Sequence, residues 1–119
     1  MPRFVVLEHQ SPRGLHWDFM LQQEDVLATW ALPEPPDANG PLEAERLPDH
    51  RLAYLDYEGP VSGNRGQVVR WDAGIFELRG QRPQEWTVVL RGQRLVGEAT
   101  LRRLPEDSDA WQFTFRPFV

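Results

Sequence analysis

The sequence predicts an all-β protein, a compact antiparallel β-barrel of about eight strands, and three observations support this fold class. Short runs rich in β-branched and aromatic residues recur along the 119 residues. Glycine and proline, with 9 and 11 copies, separate these runs and supply turn signals. No stretch of about 11 or more residues keeps the helical period of about 3.6. We therefore expect at most one short helix.

Nine segments are predicted as strands, because they combine β-favouring residue types with strand-like length. They are residues 4–9, 15–22, 26–32, 51–58, 67–72, 74–79, 86–91, 94–104 and 110–116. Tight hairpin connections are predicted at Asp72-Ala73-Gly74 and at Gly92-Gln93. Residues 42–47 are predicted to form a helix of one or two turns at most.

Two segments are predicted as surface loops. Residues 33–41 are rich in proline, which removes ladder donors and fixes φ, so a strand cannot continue through them. Residues 59–66 contain three glycines and Arg65. This second loop is either an ordinary hairpin connection or a phosphate-facing loop. The pieces on either side of residues 33–41 are too short to fold alone, so residues 1–119 are expected to form a single domain.

Composition narrows the possible chemistry. The sequence has no cysteine, which excludes disulfides and thiolate metal sites, so any metal must be held by nitrogen and oxygen ligands. No apolar run approaches the roughly 20 residues that span a membrane, and the first residues lack the apolar region of a signal peptide. We expect a cytoplasmic protein without membrane contact. The net charge of −5 argues against a protein that coats long DNA, but a pocket for one terminal phosphate needs only a few charges.

A candidate metal site lies near the start of the chain. His16 and Asp18 are two residues apart in a predicted strand, so both side chains point to the same face of the sheet. The short connection over residues 10–15 is expected to fold His9 back beside His16. Two imidazoles and one carboxylate suit a divalent cation with positions left open for water and substrate. The alternative is that His16 and Asp18 form only a hydrogen-bonded pair on a solvated face.

A second pair of candidate residues follows the proline-rich loop. His50 and Tyr54 are four residues apart, and in a strand they would share a face. A histidine can protonate a leaving group near neutral pH, and a tyrosine hydroxyl can donate to a phosphoryl oxygen. The alternative is that His50 is a turn residue and Tyr54 a half-buried strand aromatic.

Six segments form an ordered series that is more specific than any one of them. They are Phe4-Val5-Val6-Leu7-Glu8-His9, Leu15-His16-Trp17-Asp18-Phe19, Trp30-Ala31-Leu32-Pro33, Asp49-His50-Arg51-Leu52-Ala53-Tyr54-Leu55-Asp56-Tyr57-Glu58-Gly59, Val69-Arg70-Trp71-Asp72-Ala73-Gly74 and residues 95–101. This series resembles the 3'-phosphoesterase domain of bacterial ATP-dependent DNA ligase D, and the likeness covers nearly the whole chain.

The resemblance implies a β-barrel that heals DNA 3' ends in end-joining repair. Members of that family use manganese to remove a 3'-terminal ribonucleotide and then the remaining 3'-phosphate. Carried over to this sequence, His9, His16 and Asp18 would bind manganese, with zinc or another divalent cation as alternatives. His50 and Tyr54 would contact the scissile phosphate. The expected partners are nucleic-acid 3' ends and, further, a separate ligase or polymerase.

The sequence departs from the family pattern most clearly at Met20. Family members usually carry an arginine two residues after the metal-site aspartate, where it can hold phosphate, and methionine cannot replace its hydrogen bonds. Arg13, Arg46 or Arg65 is predicted to supply the missing positive charge. The alternative function is a catalytically weakened relative that binds a DNA end or a repair partner without hydrolysis, and a purely structural β-domain is a third interpretation.

Overall fold

The computed structural model describes residues 1–104 and 109–118, and these residues are almost entirely β-sheet. The nine strands of this part of the chain are β1 (Arg3–Ser11), β2 (Gly14–Gln23), β3 (Val26–Leu32), β4 (Leu42–Arg51), β5 (Gly59–Pro60), β6 (Gln67–Arg82), β7 (Glu85–Gly92), β8 (Val96–Arg103) and β9 (Ala110–Pro117). One turn of 3-10 helix, Leu52–Leu55, follows β4. In the described ranges, no helix has the length and apolar character needed to cross a membrane.

Eight of the strands close into an antiparallel ring. Their order is β1-β2-β3-β4-β9-β8-β7-β6, and β6 pairs again with β1. The short strand β5 pairs with the beginning of β6, outside the ring. Closure leaves the ring without a free edge, which removes the usual route to edge-to-edge aggregation. The predicted β-barrel is confirmed.

Strands β1, β2 and β3 bury side chains on both faces of the sheet. Inside the ring lies an aromatic core that includes Phe4, Trp17, Phe19, Trp30, Phe76, Trp86, Trp111 and Phe113. A second apolar cluster, here called the outer cluster, covers the outside of β1, β2 and β3 and comprises Val5, Leu7, Met20, Leu27, Leu55, Val61 and Val68. Because side chains alternate along a strand, β1 and β2 supply both clusters. The segment after β4 packs over this outer face.

The predicted helix over residues 42–47 is wrong, since these residues begin β4. Leu42 and Ala44 are buried while Glu43 and Glu45 are exposed, which is the alternation of a strand with one face in the core. Alternation over four residues is too short to distinguish from the start of a helix by pattern alone.

The predicted strand over residues 51–58 is also wrong. The chain leaves β4 at Arg51 and forms the 3-10 turn Leu52–Leu55 instead. The turn crosses the outer face of the sheet, where Leu55 is buried in the outer cluster. Tertiary burial of one leucine therefore decides the local structure, overriding the β-favouring composition of the segment.

The predicted hairpin at residues 72–74 is wrong, because β6 runs without interruption from Gln67 to Arg82. A Cβ at Gly74 would stand 2.2 Å from the carbonyl oxygen of Arg91 on β7, so this glycine permits a close approach of two strands rather than a turn. The second predicted hairpin is confirmed. It connects β7 to β8 through residues 93–95, and the Gly92 N–H donates to the Leu95 carbonyl at 2.8 Å. The proline-rich loop over residues 33–41 likewise lies outside any strand.

Candidate metal centre

The β1–β2 hairpin places two histidines side by side. The strands extend to Ser11 and from Gly14, so the connection is shorter than the six residues expected from the sequence. In this register His9 lies directly opposite His16, and the centroids of their rings are 4.6 Å apart. Cross-strand neighbours at this spacing point to the same side of the sheet.

Asp18 joins the two imidazoles on the outer face of the barrel. Its carboxylate is buried, with Oδ2 2.9 Å from His9 Nδ1 and Oδ1 3.0 Å from His16 Nε2. One potential ligand atom from each of the three residues lies within 4.8 Å of the others. The structure thus brings together the three groups that the sequence singled out.

One oxygen of Asp18 fits a cation better than it fits its present neighbours. Oδ1 is close to His16 Nε2, but the contact lacks hydrogen-bond geometry, and this buried atom has no hydrogen-bond partner among the described residues. Leaving a buried acceptor unpaired costs about 1–3 kcal/mol, and more for a charged group. Two imidazole nitrogens and a carboxylate oxygen form a donor set that suits Mn²⁺, Zn²⁺ and related divalent cations. The residues therefore fit a divalent metal ion.

The three groups also change one another's ionisation. The hydrogen bond to Asp18 raises the pKa of His9 and outweighs the opposing effect of burial. Burial opposes ionisation of Asp18, but the close contacts with the His16 and His9 imidazoles and the charge attraction to them together lower the pKa of its carboxyl group. Both shifts favour an ion pair between His9 and Asp18, so a cation at this site would compete with the proton on His9.

A cleft of about 1270 Å³ opens beside these groups. Besides the three candidate ligands, it is lined by His50 and Tyr54, whose ring centroids are 5.7 Å apart. The predicted reason for this proximity is wrong, because only His50 lies in a strand and the 3-10 turn brings Tyr54 back to it. The His50 ring donates from Nδ1 to the Pro48 carbonyl at 2.8 Å, which leaves Nε2 without the ring hydrogen of a neutral imidazole.

The three candidate phosphate-binding arginines occupy different places. Arg13 lies at the tip of the β1–β2 hairpin and lines the cleft. Arg65 also lines it, but its guanidinium donates to the carbonyl and hydroxyl of Ser62. Arg46 does not line the cleft: its guanidinium carbon stands 4.6 Å from the ring centroid of Trp30. The alternation that points Leu42 and Ala44 inward would have predicted the same for Arg46.

Two contributors to the site were missed in the sequence. Arg51 lines the cleft, and its position next to His50 was the available signal. The backbone carbonyl of Arg65 lies 2.7 Å from His9 Nε2. A pattern of side chains does not indicate which backbone carbonyl will accept a hydrogen bond, so this contact could be identified only from the structure. Met20, two residues beyond Asp18, is buried in the outer cluster at the edge of the cleft.

A closed barrel with two histidines and an aspartate converging in a surface cleft defines a candidate metal-binding β-barrel protein. A family model described as the DNA ligase D 3'-phosphoesterase domain matches residues 7–103. The chain belongs to this family of phosphoesterases.

Two similar relatives are multifunctional non-homologous end joining proteins named LigD. The protein from Mycobacterium bovis is 32% identical over 117 residues, which cover 91% of this chain and 15% of the relative. The protein from Pseudomonas aeruginosa is 31% identical over 111 residues, which cover 85% and 13% of the two chains respectively. This chain thus spans about a seventh of the length of the curated relatives it matches.

Proposed function

We propose that this protein is a metal-dependent phosphoesterase that removes a 3'-phosphate or a 3'-ribonucleotide from DNA ends in end-joining repair. The observation that carries the proposal is the convergence of His9, His16 and Asp18 in a cleft, with a buried carboxylate oxygen that has no hydrogen-bond partner among the described residues. Membership of the phosphoesterase family supports the reaction class. The end-joining relatives support the setting, and the cytoplasm is the proposed compartment.

His9, His16 and Asp18 would hold the cation, which we propose to be manganese, with zinc as an alternative. When bound, it supplies positive charge that polarises a phosphoryl oxygen and lowers the pKa of a water molecule. Asp18 accounts for the only buried formal charge of the three ligands, so its removal is expected to weaken the site more than a change of either neutral imidazole.

His50 and Tyr54 would act on the phosphate itself. The Nδ1–H of His50 is occupied by the Pro48 carbonyl, so Nε2 is the atom that would take up a proton from solvent and pass it to the departing 3' oxygen. The Tyr54 hydroxyl would donate to a phosphoryl oxygen and stabilise charge that develops there. Arg13, exposed at the hairpin tip beside the cleft, is the proposed phosphate-binding arginine.

Met20 favours a second function, a weakened relative that binds a DNA end, or a separate ligase or polymerase, without hydrolysis. The side chain is 1% exposed and packs in the outer cluster. It offers no charge to a phosphate at the edge of the cleft. An enzyme with methionine in this position would bind phosphate less tightly than one with an additional arginine there.

Incubation of a primed duplex that ends in a 3'-phosphate, or in a single 3'-ribonucleotide, with protein and Mn²⁺ separates the two functions. The proposal expects a 3'-hydroxyl product that is lost in His16→Ala and in Asp18→Ala. End binding without product, at high protein concentration and with bound metal, would establish the weakened relative instead.

A further inference from the structure

The ring of His9 makes a contact through each of its two nitrogens. Nε2 lies 2.7 Å from the backbone carbonyl oxygen of Arg65, and Nδ1 lies 2.9 Å from Asp18 Oδ2. A carbonyl oxygen has no proton to donate, so Nε2 must carry the hydrogen of the first contact. The nitrogen left to bind a cation beside Asp18 is therefore Nδ1.

The carbonyl of Arg65 belongs to a short loop, residues 61–66, that is closed on itself. The Val61 N–H donates to the Gly66 carbonyl at 2.7 Å. The guanidinium of Arg65 donates from Nε to the Ser62 carbonyl at 2.7 Å and from Nη2 to the Ser62 hydroxyl at 3.2 Å. Val61 is buried in the outer cluster and anchors the loop to the sheet. These bonds hold the carbonyl in one orientation.

Gly66 seats this loop directly against β1. Its φ is +89°, and a Cβ there would stand 1.7 Å from the carbonyl oxygen of Gln10, next to His9 in the chain. A side chain at this position would force the loop away from the strand. Gly63 in the same loop also has a positive φ, +75°, but a Cβ there would meet a single side-chain atom at 3.7 Å. Both glycines have a positive φ that disfavours other residues, but only Gly66 lies so close to the β1 backbone that a Cβ would collide with it.

We infer that the 61–66 loop is a positioning element of the metal centre, which uses the Arg65 carbonyl to fix the tautomer of His9 so that Nδ1 faces the cation. The inference rests on the proposed binding of metal by His9, His16 and Asp18. Partners that orient a ligand histidine through its second nitrogen typically change metal affinity about 10- to 100-fold when they are lost. Arg65 acts here through its backbone, while its side chain closes the loop onto Ser62.

The first test compares Gly66→Ala with Gly63→Ala in the full chain, after circular dichroism has shown that both fold. Isothermal titration with Mn²⁺ is expected to show affinity about 10- to 100-fold weaker for Gly66→Ala and close to that of wild type for Gly63→Ala. A folded Gly66→Ala with wild-type affinity overturns the inference. An equal loss in Gly63→Ala also overturns it, because backbone strain alone would then explain the effect.

The second test uses wild-type protein and does not depend on how the variants fold. Long-range ¹H–¹⁵N NMR of the protein loaded with Zn²⁺ is expected to show the hydrogen of His9 on Nε2 and the metal on Nδ1. Zinc bound to Nε2 overturns the inference and leaves the proposed phosphoesterase standing. Failure to bind either Zn²⁺ or Mn²⁺ overturns both. Metal bound through Nδ1 without hydrolysis of a 3'-phosphate supports the inference and contradicts only the proposed activity.

Discussion

At the scale of single residues, Asp18 connects the parts of the candidate site. Its two oxygens face two different imidazoles at 2.9 and 3.0 Å, and its burial leaves water little access to them. A buried carboxylate is stable as an anion only when positive charge or hydrogen-bond donors compensate its desolvation. The proposed metal binding and the ionisation of His9 therefore depend on the same side chain.

Asp18→Asn keeps the shape of the side chain and removes its charge. We expect Mn²⁺ affinity, measured by isothermal titration, to fall at least about tenfold, because one anionic ligand is lost. The pKa of His9, followed by NMR, should fall towards its ordinary value because the hydrogen bond to the carboxylate raises it. Asp25→Asn, at an exposed turn, is the matched control and should change neither quantity.

The ion pair also predicts how pH acts on the site. A raised pKa for His9 stabilises the metal-free fold below the ordinary imidazole value of about 6.5, and that contribution is lost as pH rises through the raised value. The lowered pKa of Asp18 stabilises the metal-free fold above the ordinary aspartate value of about 3.9. This stabilisation is lost as pH falls through the lowered value. Metal binding would have the opposite dependence on His9, because the cation competes with its proton: as pH is lowered, the Mn²⁺ affinity measured by titration should begin to fall while the pH is still above about 6.5. Affinity that stays constant down to that pH would contradict this coupling.

The residues of the site were partly predictable from the sequence. The spacing of His16 and Asp18 fixed their common face, because a strand alternates with a period of two. The position of His9 followed once a short connection was assumed. Arg46 was misplaced because its strand was not predicted, and without a strand its inward direction could not be read. The Arg65 carbonyl belongs to the backbone, so residue types give no indication of it.

At the scale of elements, the long strand β6 is held to the β7–β8 connection by one buried carboxylate. Asp72 is 2% exposed and accepts backbone N–H groups of Gln93 at 2.8 Å, Arg94 at 3.2 Å and Leu95 at 2.8 Å. We expect Asp72→Asn to lower the free energy of unfolding by about 1–3 kcal/mol, since an amide nitrogen would face donors. Urea denaturation measures this, with the exposed Asp37→Asn as control. Equal midpoints for the two variants would contradict the assignment.

The elements were harder to predict where tertiary contacts decide the backbone. Residues 51–58 are rich in β-favouring types, yet burial of Leu55 on the outer face selects a 3-10 turn. Asp72 and Gly74 look like turn residues, but one anchors a distant loop and the other allows two strands to approach. In both cases the cause is a contact between residues far apart in the sequence, which local pattern does not contain.

At the scale of the whole molecule, Arg46 links three strands across the inside of the barrel. Its guanidinium carbon stands 4.6, 5.6 and 6.0 Å from the ring centroids of Trp30, Trp86 and Trp111. We expect Arg46→Ala to lower the free energy of unfolding by about 1–2 kcal/mol through lost cation–π contacts and packing. Thermal denaturation should show Arg79→Ala, on the exposed surface, close to wild type. No difference between the two would contradict a stabilising role.

The class of fold was predictable, because repeated short strands separated by turns leave few architectures for a chain of this size. Closure of the ring was the hardest feature to predict from the sequence, because the β1–β6 and β4–β9 pairings join segments that are far apart in the chain. Closure of the ring also determines where the candidate site lies. It leaves the aromatic core inside, so the outer face of β1 and β2 is available for the three candidate ligands and the cleft beside them.

Location of the metal tests the central claim most directly. Crystals soaked in Mn²⁺ and measured at a wavelength where manganese scatters anomalously should show a peak about 2.0–2.2 Å from His9 Nδ1, a nitrogen of His16 and an oxygen of Asp18. Active protein whose crystals hold manganese elsewhere, or hold none at these three residues, would contradict it.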